Sequence, residues 1–135
     1  MLQQPDTLSR IRSVTMGATG AVRLLYAGMA AVTGQPSPMP AWIPGLFGIA
    51  TAIVITLSCL AAGRTTAHRA HDEFYRAQDH LAQRIGYWCA LALYPLAGLL
   101  MAQDIMSLQL AMPIMGTLTG AAYLIPHAIL TWRTE

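Results

Sequence analysis

LLYAGMAAVTGQPSPMPAWIPGLFGIATAIVITLSCLAAG, residues 24–63, runs from Arg23 to Arg64 without one acidic or basic side chain. A helix needs about 20 apolar residues to cross a bilayer. This stretch is too long for one crossing and about right for two. Gly34, Pro36, Pro38 and Pro40 divide it, because a proline-studded segment cannot continue a helix. The reading predicts a first span over 16–33 and a second over 41–62.

Working outward, residues 64–84 form the hydrophilic centre of the chain, with four arginines, three acids and three histidines. Residues 85–103 are again uncharged and predict a third span. Asp104 sits in a short connection, and 109–132 predict a fourth span closed by Arg133 and Glu135. The expectation is one all-α domain over 1–135, with four transmembrane helices in two hairpins. A helical hairpin satisfies its backbone groups internally, as lipid requires. The stretch after Arg10 and Arg12 does not read as a signal peptide, since Arg23 interrupts its apolar part and a helix-length segment follows.

Composition agrees. Of the 135 residues 55% are hydrophobic and only 10% charged, against about 25% charged in soluble domains. So few charges would not coat a soluble surface. All eight basic residues are arginine, and they are spread along the chain, which argues against a nucleic-acid partner. Two cysteines, Cys59 and Cys89, supply neither a disulfide framework nor zinc spacing; they read as small packing residues.

Orientation follows from the arginines. Arg10, Arg12, Arg64, Arg69, Arg76, Arg84 and Arg133 all flank one side of a four-span arrangement, while loops 34–40 and 104–108 contain no basic residue. The positive-inside rule puts the N-terminus, the 64–84 loop and the C-terminus in the cytoplasm. Trp42, Trp88 and Trp132 stand near span ends, where aromatic belts form.

The middle loop carries its own pattern. Ala67, Ala70, Phe74, Ala77 and Leu81 recur every three or four residues, the apolar stripe of a helix that packs against a partner. With no proline or glycine over 64–85, the third span is expected to extend into the cytoplasm as an amphipathic helix starting near residue 67.

Candidate functional residues are few. Arg23 lies about seven residues into the first span, where an arginine snorkels to headgroups, pairs, or serves a site. His127, six residues before Arg133, falls at nearly the same depth when counted from the cytoplasmic side. It suits a packing hydrogen bond, and alternatively a proton relay or ligand. Asp72 and Glu73 precede Arg76 by four and three residues, so one guanidinium reaches either acid. His68, His71 and Asp72 share one helical turn but have no second ligand cluster, so no metal or other cofactor is expected. Gly116 and Gly120 form a GxxxG step suited to close helix packing or to homo-oligomer contact. No nucleotide loop, nucleophile elbow or HExxH is present, and the chain reads as non-enzymatic.

DEFYRAQDHLAQRIGY, residues 72–87, resembles the juxtamembrane motif of a group of small, uncharacterised bacterial inner-membrane proteins. Asp72, Glu73, Phe74 and Arg76 match its acidic opening and arginine, and Ala82, Gly86 and Tyr87 its small-residue entry to a third span. PIMGTLTGAAY, residues 113–123, resembles the opening of that group's fourth span. The likeness covers about half the chain. Asp79 and His80 depart from it, as does the N-terminal half. The resemblance implies four helices in a bacterial inner membrane and lends no activity. Two functions compete. One is an interaction or accessory subunit that binds a membrane-protein partner through the cytoplasmic helix or a bundle face. The other is a small oligomeric transporter or channel with Arg23 and His127 lining a polar path.

Overall fold

The computed structural model describes residues 5–40, 42–62 and 73–132, and among these it is all-α. Four helices follow one another: α1 (Pro5–Thr33), α2 (Trp42–Ala62), α3 (Glu73–Ala102) and α4 (Leu108–Trp132). Among the described residues three stretches are long and apolar enough to cross a membrane: Trp42–Ala62, Arg76–Ala102 and Leu108–Trp132. The α1 helix begins eleven residues before the expected start of the first span, so Arg10 and Arg12 lie within it. The expected onset of α3 near residue 67 falls outside the described residues.

The helix ends follow local chemistry. Pro5 opens α1, where its missing N–H costs nothing. Gly34 closes it with a φ of 65° and donates its N–H to the Ala30 carbonyl, the left-handed cap for which glycine is suited. Asp104 ends α3 in the same conformation, with a φ of 56°. The Asp104 N–H bonds the Met101 carbonyl and the Ile105 N–H the Leu100 carbonyl, the paired bonds of a Schellman cap. Ser107 caps α4 by accepting the Leu110 N–H on its hydroxyl at 3.3 Å. Pro95, Pro113 and Pro126 lie inside continuous helices.

The helices form a row. The most extensive face joins α1 to α4, the next joins α3 to α4, and α2 packs on α1; among the described residues no other pair shares more than a marginal contact. Packed neighbours run antiparallel. Gly17 faces Ala128, and Gly20 faces Leu124 and Ile125. On the far side of α4, Gly86 of α3 lies against Tyr123. The N-termini of α1 and α3 therefore share one end of the row with the C-terminus of α4.

What is buried is small or polar. Among the described residues, eight of the eleven buried apolar side chains are alanines, and the largest closed off completely are His127, Thr19 and Ser13. Large apolar residues point outward instead: Val32 is 88% exposed, Leu60 73% and Met112 66%. Water would drive such groups inward, whereas lipid is as apolar as leucine and leaves close packing of small residues to hold helices together. The stripe expected on the middle segment follows the same rule. Its described members Ala77 and Leu81 are exposed, while Gln78 and Ala82 turn towards α4.

A methyl group added at Gly20 would stand 2.7 Å from Cγ1 of Ile125 and 3.2 Å from Cβ of Leu124, whereas one at Gly28 would meet nothing within 4 Å. Gly20→Leu is therefore expected to lower unfolding free energy in detergent by about 1–3 kcal/mol through overpacking. Gly28→Leu should stay within about 0.5 kcal/mol of the parent. Thermal melts of the two variants check the difference.

Candidate functional site

Two polar positions stand out in this apolar frame. The first is a junction of α1, α3 and α4 at the end of the row that carries Arg10, Arg12, Arg76 and Arg84. His127, on α4, is fully buried there. Its Nε2 lies 3.8 Å from Oδ1 of Asp79 on α3, an ion-pair separation if the ring is protonated and too long for a hydrogen bond. Tyr123, one turn before His127, donates its hydroxyl to the same Asp79 oxygen at 2.8 Å. Gln83 donates its amide to the other Asp79 oxygen at 2.9 Å. Both oxygens of Asp79 thus accept a hydrogen bond, the one from Tyr123 part-buried and the one from Gln83 exposed.

Around this pair, side chains of neighbouring helices satisfy the end of α4. The last carbonyls of a helix lack an internal donor. Gln78 of α3 donates to one of these, the Leu130 carbonyl, at 3.4 Å, and Ser13 of α1 adds a bond to the Ala128 carbonyl one turn from the end at 2.8 Å. Thr131 turns its hydroxyl back to the His127 carbonyl at 2.8 Å and stands 3.4 Å from Nδ1 of the ring. Arg12 of α1 is only 3% exposed and acts electrostatically on His127. One arginine, one carboxylate and one imidazole thus meet where three helices join, with Arg12 and His127 buried and Asp79 partly exposed.

The second position is Arg23. Its side chain lies across the row, between α2 and α4. A Cβ at Gly120 would overlap the guanidinium Nη1 and stand 3.1 Å from Cδ and Cζ, and a Cβ at Gly48 would stand 3.0 Å from Nη2. Both glycines are cradles for this cation. The guanidinium stays near the level of its own turn: Gly20 faces residues 124 and 125, and Arg23, three residues on, faces Gly120. It does not snorkel to the helix end. No hydrogen bond or ion pair to Arg23 forms among the described residues. Near a bilayer centre an arginine costs at least about 2.5 kcal/mol.

The two positions are not at one depth, contrary to the count from the charged chain ends. Ala128, beside His127, meets Ser13 and Gly17, while Arg23 meets Gly120. Seven residues of α4 separate Gly120 from His127, about 10 Å along the axis. The count failed because α1 starts at Pro5 and carries Arg12 inside the bundle, so Met16 is no boundary. Between these levels α1 and α2 are joined by threonines: the Thr19 and Thr51 hydroxyls are 2.5 Å apart, and Thr51 donates to the Thr15 carbonyl at 3.3 Å.

The remaining candidates are dispersed. Asp72 lies outside the described residues, as does the side chain of Glu73, and Arg76 is exposed at the start of α3. Gly120 packs on Arg23, whereas Gly116 has open space around it, so the two glycines do not act as one packing step within the chain. Cys59 and Cys89 are half-buried free thiols on α2 and α3. Among the described residues no group of three His, Cys, Asp or Glu could hold a metal ion. His68 and His71 fall outside them. An apolar groove of about 610 Å³ opens between α1 and α4 beside Ser13, Gly17, Ala128 and Trp132. Sequence reasoning overlooked Asp79, Tyr123, Gln78 and Arg12. The available signal was the spacing of Tyr123 and His127, four residues apart on one helix face, with an unexplained acid at the entry to α3.

Asp79→Ala should remove the acceptor of the Tyr123 and Gln83 bonds and the carboxylate beside the imidazole, and cost about 1–3 kcal/mol of stability in detergent. Tyr123→Phe removes one donor and should cost less. The Asp79→Ala, His127→Ala double variant is expected to be less destabilised than the sum of its parts, because the residues share one network. Equal, additive losses in melts of the four proteins would show that the network does not couple them.

Comparison with known proteins returns no match to any family model, any curated protein or any solved structure.

Proposed function

We propose that this chain is a non-enzymatic, multi-pass protein of the bacterial inner membrane. In this reading it has four spans and both termini in the cytoplasm, and acts as an interaction or accessory subunit. Three stretches have the length and apolarity of spans. The fourth crossing is assigned to α1, which packs along α4 from Ser13 to Arg23 and so occupies the same layer. The orientation is supported by Arg10, Arg12, Arg76 and Arg84 gathering at the end of the row shared by the starts of α1 and α3. The likeness to small four-helix inner-membrane proteins points the same way.

The observation that carries the interaction reading is the outward face of α3 near its start. Ala77 and Leu81 are exposed beside the exposed Arg76 and Arg84, while Gln78 and Asp79 occupy the contact with α4. An apolar pair rimmed by arginines, on a segment entering the cytoplasm, suits a helix or acidic surface of a partner protein. The transporter reading needs one polar path, and it is less favoured because Arg23 and His127 occupy separate levels with packed side chains between them.

Fusions of a reporter to either terminus should be active only as cytoplasmic ones; a periplasmic signal at the C-terminus would overturn the four-span orientation. A photo-crosslinking amino acid at Leu81 should give a discrete protein adduct in native membranes, and one at the buried Ala82 should not. Adducts to lipid alone at Leu81 would remove the α3 docking face.

A further inference from the structure

We propose that Arg23 is the recognition point for a carboxylate carried within the membrane on a helix of a partner protein. The inference rests on the membrane-spanning, partner-binding reading above and adds to it the chemistry of the contact. Twelve residues of α4 lie on either side of Gly120, about 18 Å each way, and six residues of α2 precede Gly48, about 9 Å, so the cation lies well inside the ends of both helices. The residue as a whole is half-buried. Gly48 and Gly120 flank its guanidinium from α2 and α4.

Among the described residues no acid pairs with it. The chain's six acids are Asp6, Asp72, Glu73, Asp79, Asp104 and Glu135, none of them within the uncharged stretches of the sequence. Of the described acids Asp79 is the nearest by level. Gly86 lies at Tyr123, so α3 passes Gly120 about three residues further on, roughly 15 Å along the axis from Asp79. A second copy in the same membrane brings the same acids to the same levels and cannot supply the anion either. Lipid phosphates lie outside a hydrocarbon core about 30 Å thick, beyond the turns at which Gly48 and Gly120 meet the guanidinium. A carboxylate at mid-span on another protein meets all these conditions. A methyl group added at Gly116 or Gly45 would meet nothing within 4 Å, so the crease between α4 and α2 is open to a helix approaching closely.

The test uses the full chain in phosphatidylcholine vesicles at alkaline pH. The probe is a dye-labelled, leucine-rich synthetic single-span helix with one glutamate at its centre, and its twin carries glutamine there. Energy transfer should report about tenfold stronger association of the glutamate helix, the upper range for one interhelical polar contact. Arg23→Met should bring both helices to the same weak level, and Arg23→Lys should keep part of the preference. If Arg23→Met loses its helical melt, Arg23→Gln takes its place and the same outcome decides. Equal association of the two probes with the parent, or an undiminished preference in the uncharged variant, would overturn the proposal. Loss of the preference on adding phosphatidylglycerol would assign the cation to lipid phosphate and overturn it as well. A missing Leu81 adduct with the glutamate preference intact would strike out the α3 face alone.

Discussion

Close approach between α1 and α4 is the contact from which the other helices hang. In lipid no hydrophobic force presses helices together, so association depends on dispersion and on hydrogen bonds across the interface. Gly17 and Gly20 bring the α1 backbone against Ala128, Leu124 and Ile125, and Ser13 adds a bond to the Ala128 carbonyl. On this face α4 gains the position that lets α3 pack on its other side through Gly86 and Ala82. The same approach makes the polar junction possible, because groups from α1, α3 and α4 can meet only where backbones come this near. Arg12 and Asp79, ruinous if buried singly, are held where each has polar neighbours.

Much of the architecture was legible in the sequence, and for physical reasons. The forty uncharged residues between Arg23 and Arg64, and the prolines that split them, fix two helices through length and backbone chemistry alone. The later uncharged stretches fix α3 and α4, and their boundaries came within a few residues wherever charge or proline marks them. The start of α1 was missed because its charged first turns look like a flank, yet Leu8, Arg12 and Ser13 are buried inside the bundle. Spacing in one helix does not say which face turns inward: Ala77 and Leu81 of the apolar stripe are exposed, and Gln78 finds its acceptor inside.

The candidate site was legible only in part. Arg23 and His127 announce themselves as polar groups in uncharged surroundings. Their partners do not, because pairing between helices depends on register, and register is set by side-chain fit that no single helix reveals. Asp79 looked like one of several acids on a solvated face. Only the antiparallel alignment of α3 and α4 brings it to Tyr123 and His127. The role of Gly120 was hidden for the same reason: its partner is the guanidinium of Arg23 and not a second helix backbone.

The row of helices has a consequence for biogenesis. The ribosome delivers α1, α2 and α3 before α4, yet α4 is the central member that both α1 and α3 pack against. Until it inserts, α3 has no extensive neighbour, and α1 has only the threonine seam with α2. The inner faces bearing Arg12, Gln78 and Asp79 must wait, polar and unmatched, at the membrane boundary. A chain interrupted before α4 would therefore leave a loose hairpin and a solitary helix, each exposing charge to lipid, which are features that membrane quality control removes. The arrival of α4 and the closure of this row are thus one event.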